Sequence, residues 1–430
     1  MKKLRKKLKN NKLIISKDIC HFEWPRIDKK MEAIVIDQLH ESISIYNRSG
    51  IFEEFEDNFS KYHNNTKYAL LSNSGTSAIF SMFEGISLSP EDEIISPVYT
   101  FFATISPVIY TGAKIVFCDS KSDGNIDPEE IKKKITSKTK AIIITHMWGM
   151  PCDMDEIVKI AKDNNIYLLE DCSHAHGAEY KNQKVGTFGD AAAWSLQGQK
   201  IVTGGEGGIL LTNNKKIYER ALLQGHYNKR CKDDIDKYSE LFEYSITGFG
   251  LKLRAHPLAI SIANYQFSFL DKWLEVKNKY AERFILTLSK YQFLKQPLHE
   301  NKKPSLYAYV MQYEEEFSNG VSINDFVNAL HLLGLKEVDR PNSTRPLDNF
   351  PLFTKTQNAL NRLYKTPAYN KNEDFPIAYK FYNNAIKIPM WAHEDEKWIV
   401  DAYLKGFEIV CEMVLNNPKE IVNIGEKNDK

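Results

Sequence analysis

The chain has 430 residues, 43% of them hydrophobic and 12% aromatic, which is too long for one small core and too apolar for a disordered segment. Its 57 lysines and arginines stand against 56 acidic residues, so no global charge points to nucleic acid. The six cysteines (Cys20, Cys118, Cys152, Cys172, Cys231, Cys411) show neither CxxC nor paired spacing and read as reduced thiols of a cytosolic protein.

The chain starts MKKLRKKLKNNKLIISK, whose apolar run Leu13-Ile14-Ile15 is far shorter than the roughly 7–15 residues of a signal-peptide core. No stretch approaches the roughly 18 apolar residues of a membrane-spanning helix. Residues 1–20 are expected to form a basic, flexible, solvated tail, with a weak contact to an anionic surface or partner as the alternative.

From about residue 67 to 212, short apolar runs alternate with stretches of helical period. The runs are YALL (68–71), EIIS (93–96), KIVFCD (114–119), AIIIT (141–145), YLLED (167–171), AAAWSL (191–196) and GILLT (208–212). Their continuous hydrophobicity predicts strands covered on both faces, as in a parallel sheet. Between them, Asp127 and Pro128 open a helix with Ile131 and Ile135 on one face, and Asp153 caps a second whose Ile157, Ile160 and Ala161 share a face. The repetition predicts an α/β fold with a mainly parallel central sheet. The stretch HPLAISIANYQFSFLDKWLEVKNKYAERFILTL then reads as a long linking helix. Short strands near 307–313 and 386–389, with helices around 322–334 and 394–415, predict a smaller C-terminal α+β domain. The expected division is a large domain over 21–265 and a linking helix with small domain over 266–430.

Ligands of open α/β sheets sit at the carboxyl ends of the strands, so what each strand delivers there matters. After YALL, the segment SNSGTSAIF turns into a helix through Gly75, Thr76 and Ser77; such a terminus suits a phosphate, or is an ordinary helix cap. After EIIS come Tyr99, Phe101 and Phe102, which are either core or a flat surface for a planar ring. YLLED ends at Asp171, costly to bury without a cationic partner, with His174 three residues on. A zinc site from Asp171, Cys172, His174 and His176 is too compressed for the usual ligand spacing. AAAWSL delivers Ser195 and then Lys200, followed by four glycines in the five residues 204–208. Phosphate cradle, ring surface, buried carboxylate and lysine together describe pyridoxal 5′-phosphate. A carboxylate keeps that cofactor's ring nitrogen protonated, and burial lowers the lysine's pKa towards the free amine that condenses with its aldehyde.

The motifs SGTSA, YTFFAT, GAKIVFCD, THMWGMPCDM, EDCSHAHGA, VGTFGD, SLQGQK and GGEGG, in that order, resemble the DegT/DnrJ/EryC1/StrS sugar aminotransferases, pyridoxal-phosphate enzymes of fold type I. The resemblance runs from about residue 20 to 410 and includes GLKLRAHPLAISIANYQ and FPIAYKFYNNAIKIPMW. It implies that Lys200 is the Schiff-base lysine and proton shuttle, and that Asp171 pairs with the ring nitrogen. By the same resemblance His174 contacts the ring hydroxyl, Phe101 stacks on the ring, and Gly75, Thr76 and Ser195 hold the phosphate. It further implies a homodimer with the active site at the interface. Where relatives carry asparagine in a segment reaching the partner's phosphate, Gly250-Leu251-Lys252-Leu253-Arg254 stands here; Lys252 either replaces that contact as a cation or the contact is lost. EDCSHAH, SLQGQK and RAHPL look most like the branch that aminates keto-cyclitols.

The implied activity moves an amine from glutamate or glutamine to a ketone on a sugar, cyclitol or small polyol. Dehydratases of the same fold carry histidine in place of the lysine, so Lys200 argues against that alternative. A regulator that merely kept the fold would not need Asp171, Ser195 and Lys200 together.

Overall fold

The computed structural model describes residues 13–297, 300–355 and 371–422. Every apolar run between residues 67 and 212 forms a strand: β1 (Tyr68–Ser72), β2 (Glu93–Pro97), β3 (Lys114–Cys118), β4 (Thr139–Thr145), β5 (Tyr167–Asp171), β6 (Ala191–Ser195) and β7 (Gly208–Thr212). They form one sheet in the order β1-β7-β6-β5-β4-β2-β3. All neighbours are parallel except β7, which runs against both β1 and β6. Reversal of β7 follows from the glycine-rich turn, which sends the chain straight back beside β6 instead of over a crossover.

Alternate strand residues point to opposite faces, and each face is covered. Ile143 and Leu169 join one core with Ile79 and Phe83 of the helix Gly75–Gly85, while Ile142, Ile144 and Leu168 join another with Ile157 and Ile160 of Met154–Asp163. A third core sets Phe55 and Phe59 against Trp194 and Ile209. In the helix Pro128–Lys134, Asp127 caps as expected by accepting from the Glu129 N–H at 2.9 Å. Ile135 lies just past its end in extended backbone and still packs beside Ile131. Asp153 stands at the N-cap position of its helix but makes no side-chain cap. Its carboxylate is taken by Lys121 and by Lys302, at 2.8 Å for the latter, and an ion pair outcompetes a peptide N–H.

The expected linking helix is two helices, Pro257–Phe267 and Leu270–Leu288. The Ser268 hydroxyl donates to the Tyr265 carbonyl at 2.7 Å, a local bond that competes with continuation of the helix. Beyond it, Ala308–Tyr313 pairs antiparallel with both Leu294–Lys295 and Ala385–Pro389. Phe284, Phe326, Tyr403 and Phe407 fill the core on this sheet.

That core also corrects the expected tail. Ile15 is 4% exposed within it, and the Ile14 N–H donates to the Leu333 carbonyl at 3.2 Å. The Trp391 indole donates to the His21 carbonyl at 2.7 Å, so residues 14–21 are strapped onto the C-terminal layer. Burying one isoleucine and pairing its backbone outweighs the entropy of a free end. The basic stretch 1–12 lies outside the described residues. Among the described residues, no helix is long and apolar enough to cross a membrane.

Candidate active site

Five connections at the carboxyl edge of the sheet, those after β1, β2, β4, β5 and β6, enclose a cavity of about 410 Å³ with residues of the C-terminal layer. Gly75, Thr76, Phe101, Asp171, His174, Ser195 and Lys200 all line it.

Asp171 ends β5 and is 3% exposed. The Thr104 hydroxyl donates to its Oδ2 at 2.6 Å and the Ser173 N–H to its Oδ1 at 3.0 Å. Thr104 is steadied by hydroxyls of Thr100 at 2.9 Å and Thr145 at 3.2 Å. Among the described residues, none forms an ion pair with this carboxylate. A buried anion fixed by two donors and lacking a protein counter-ion suits a cationic ring nitrogen.

Lys200 lies in the loop after β6, its Nζ 4.7 Å from the centre of the Tyr307 ring. Burial lowers its pKa to about 8, with the Asp171 carboxylate pulling the other way. The Trp24 indole donates to the Lys200 carbonyl at 2.8 Å, tying this loop to the N-terminal strap.

His174 is stacked between aromatic neighbours. Tyr307 lies face to face with it at 4.2 Å and 8°, and Trp148 at 5.5 Å and 19°. Burial holds its pKa well below the ordinary value, reinforced by Lys200, His176 and Lys387, so the imidazole is neutral. Its Nδ1 is buried without a hydrogen-bond partner.

Gly75 opens an 11-residue helix capped by Ser74, whose Oγ accepts from the Ser77 N–H at 3.1 Å. A Cβ on Gly75 would sit 2.6 Å from the Ser195 Cβ, so only glycine brings β6 and this helix end together. The result sets the first N–H groups of a helix beside the Thr76 and Ser195 hydroxyls, a polarity that suits a phosphate. Phe101 is 37% exposed at the cavity wall, whereas Tyr99 is buried beneath Trp148 and Phe102 faces outward. These residues fit pyridoxal 5′-phosphate at each of its three polar ends and on its ring face.

Lys252 is exposed and stands apart from the cavity of its own chain. The compressed zinc set does not converge either. The cluster that does is His146, Glu170 and Cys172. There Glu170 accepts N–H bonds from Gly186, Phe188 and Gly189 at 2.7–2.9 Å. His146 spends one ring nitrogen on Glu170 at 3.1 Å and the other on the Cys152 N–H at 3.0 Å. The carboxylate therefore pins the turn before β6, a structural task.

Sequence reading missed Thr104, Trp148, Tyr307 and Lys387. Thr104 sits inside the quoted YTFFAT. Tyr307 and Lys387 come from the C-terminal layer; Lys387 lies inside the quoted FPIAYKFYNNAIKIPMW, but nothing in that segment says it reaches a cavity.

A sheet with one reversed strand, and a lysine of lowered pKa after the strand beside the buried carboxylate, define the class: a pyridoxal-phosphate enzyme of fold type I. The sequence matches the DegT/DnrJ/EryC1/StrS aminotransferase family over residues 27–402, and the chain belongs to that family. It is 30% identical over 287 residues to the GDP-perosamine synthase of Escherichia coli O157:H7, covering 66% of this chain and 77% of that one. A putative L-glutamine:3-amino-2,3-dideoxy-scyllo-inosose aminotransferase of Micromonospora echinospora is 32% identical over 215 residues, 48% of this chain and 50% of the relative. An aminotransferase from Psychrobacter cryohalolentis has the same fold, with a TM-score of 0.80 at 24% identity over 92% of this chain and all of that one, 100%. The protein is a pyridoxal-phosphate-dependent aminotransferase.

Proposed function

We propose that this enzyme transfers the amine of glutamate or glutamine to a ketone carbon of a sugar, cyclitol or related small polyol. Such a product would enter a bacterial surface polysaccharide or an aminated natural product. The observation that carries the reading is one cavity holding the lysine amine of lowered pKa and Asp171, which forms no ion pair among the described residues. The GDP-perosamine in one relative's name and the amino-dideoxy-scyllo-inosose in the other's support the acceptor class.

Bound in this cavity, pyridoxal phosphate supplies an aldehyde for the amine and a ring that stores the electron pair left when a Cα proton departs. The chain's own groups do the rest. Lys200 would offer its free amine to the aldehyde and would move a proton to and from the substrate carbon. Asp171, held by Thr104 and Ser173, keeps a proton on the ring nitrogen. His174, neutral and clamped by Tyr307, is placed to hydrogen-bond the ring hydroxyl. Phe101 covers the ring, and Gly75, Thr76 and Ser195 hold the phosphate. A dehydratase would replace Lys200, which is present and directed into the cavity. Adding glutamate or glutamine to the loaded enzyme should shift the cofactor's absorbance, and a ketone acceptor should restore it. An enzyme inert to every amino acid offered would overturn the reading.

The active enzyme is a homodimer in the cytoplasm, with Lys252 of one subunit reaching the other's phosphate. Exposed Tyr244, Ile246 and Leu251 beside that loop support a buried apolar contact there. In a closed two-fold pair the same loop serves both sites. A charge-assisted contact to phosphate contributes roughly 1.5–3 kcal/mol, so Lys252→Ala should weaken cofactor affinity about ten-fold or more. Titration of cofactor-free protein measures this. Unchanged affinity in an intact dimer would rule out the trans contact.

A further inference from the structure

The donor brings an α-carboxylate as well as an amine, and the phosphate seat does not serve it. We propose that Lys387 anchors the α-carboxylate of the amino-acid donor. The inference rests on the transamination reading above.

Charge decides the position. The charged or titratable side chains lining the cavity are Asp171, His174, Lys200, Glu206, Tyr307 and Lys387, and the Tyr307 phenol is a neutral group at neutral pH. Asp171 and Glu206 repel a carboxylate, His174 is neutral, and Lys200 is committed to the aldehyde. Among the described residues that line the cavity, Lys387 is the remaining cation. It stands on Ala385–Pro389, a strand of the wall built by the C-terminal layer. Its backbone is locked by reciprocal bonds with Asp339, 2.7 Å from the Lys387 N–H and 2.8 Å to its carbonyl. The ammonium lies 5.9 Å from the Trp148 ring, which itself stacks on His174. Thus the cation sits on the ring-stack side of the cavity, and its charge reaches His174 strongly enough to help depress that pKa.

Lys387 is also available. Its ion pair with Asp339 spans 3.3 Å, with the two side chains 29% and 56% exposed, and such wet pairs are weakly held. A carboxylate arriving in the cavity can take the ammonium without opening a buried bond. Ser343 and Thr344 line the cavity too and offer hydroxyls to the same oxygens.

The test compares glutamate with its α-carboxamide, isoglutamine, in the absorbance half-reaction of the loaded enzyme. The wild type should prefer the carboxylate by about ten-fold or more in kcat/KM. Lys387→Met should reduce that preference to within about two-fold, and Lys387→Arg should largely restore it. The loss should appear in the half-saturation for glutamate, with the cofactor spectrum before donor addition unchanged. Lys387→Gln serves as the neutral variant if the methionine protein does not fold. A neutral variant that keeps the wild-type preference, or that loses both substrates equally, overturns the assignment of Lys387. A wild type that responds to no amino acid overturns the transamination reading instead.

Discussion

Asp171→Asn is expected to fold normally and retain some cofactor, yet lose turnover by about 100- to 1,000-fold. The carboxylate is buried at 3% exposure and held on both oxygens, so its position survives the isosteric change. Its charge does not. Thr104 donates to Oδ2 through a hydroxyl that is itself tied to Thr100 and Thr145. An asparagine keeps its oxygen on the Ser173 N–H and turns its amide nitrogen to Thr104, whose hydroxyl can rotate to accept. Neither end carries the negative charge that keeps the nitrogen protonated, so the ring loses its capacity to store electrons. Steady-state rates and a melting curve together decide the matter. Near-normal turnover would reduce Asp171 to a structural carboxylate.

The other large effect belongs to Lys200. Lys200→Ala should abolish measurable transamination while leaving a cavity that still admits the cofactor. The native protein should also show the amine's unusual acidity. With a pKa lowered to about 8, roughly one amine in ten is unprotonated at pH 7, against roughly one in three thousand for an ordinary lysine. Only the free amine condenses with an aldehyde. The rate of cofactor capture by the stripped protein should therefore climb with pH and level off just above 8. Stopped-flow absorbance across pH 6 to 10 measures it, at roughly one point per half unit around the Lys200 midpoint. A rate that climbs unabated to pH 10 would mean that Lys200 is solvated like a surface lysine.

How far these features could be read in advance depends on where each one comes from. Strands β1 to β7 stood out because a strand buried on both faces needs an unbroken apolar run, and residues such as Ile142 and Ile143 serve opposite cores. Asp171, Ser195 and Lys200 followed because chain order places strand ends at one edge of such a sheet. Long-range packing was hidden. Ile15 gives no local sign of insertion beside Phe284, and Ser268 reads as one more polar residue in a helical pattern until its hydroxyl captures a carbonyl. The same limit hid Tyr307 and Lys387, which reach the cavity only because an antiparallel pair in the C-terminal layer carries them there. Asp153 failed as a cap because Lys302 is remote in sequence and adjacent in space.

Lys200 is the residue we propose to take the cofactor covalently. Borohydride reduction of the purified, loaded enzyme followed by a peptide map tests it most directly. The protein should be yellow and lose its band on reduction, with the pyridoxyl mass fixed on the peptide containing Lys200. An adduct on any other lysine, or a protein that stays colourless after incubation with pyridoxal phosphate, would contradict it.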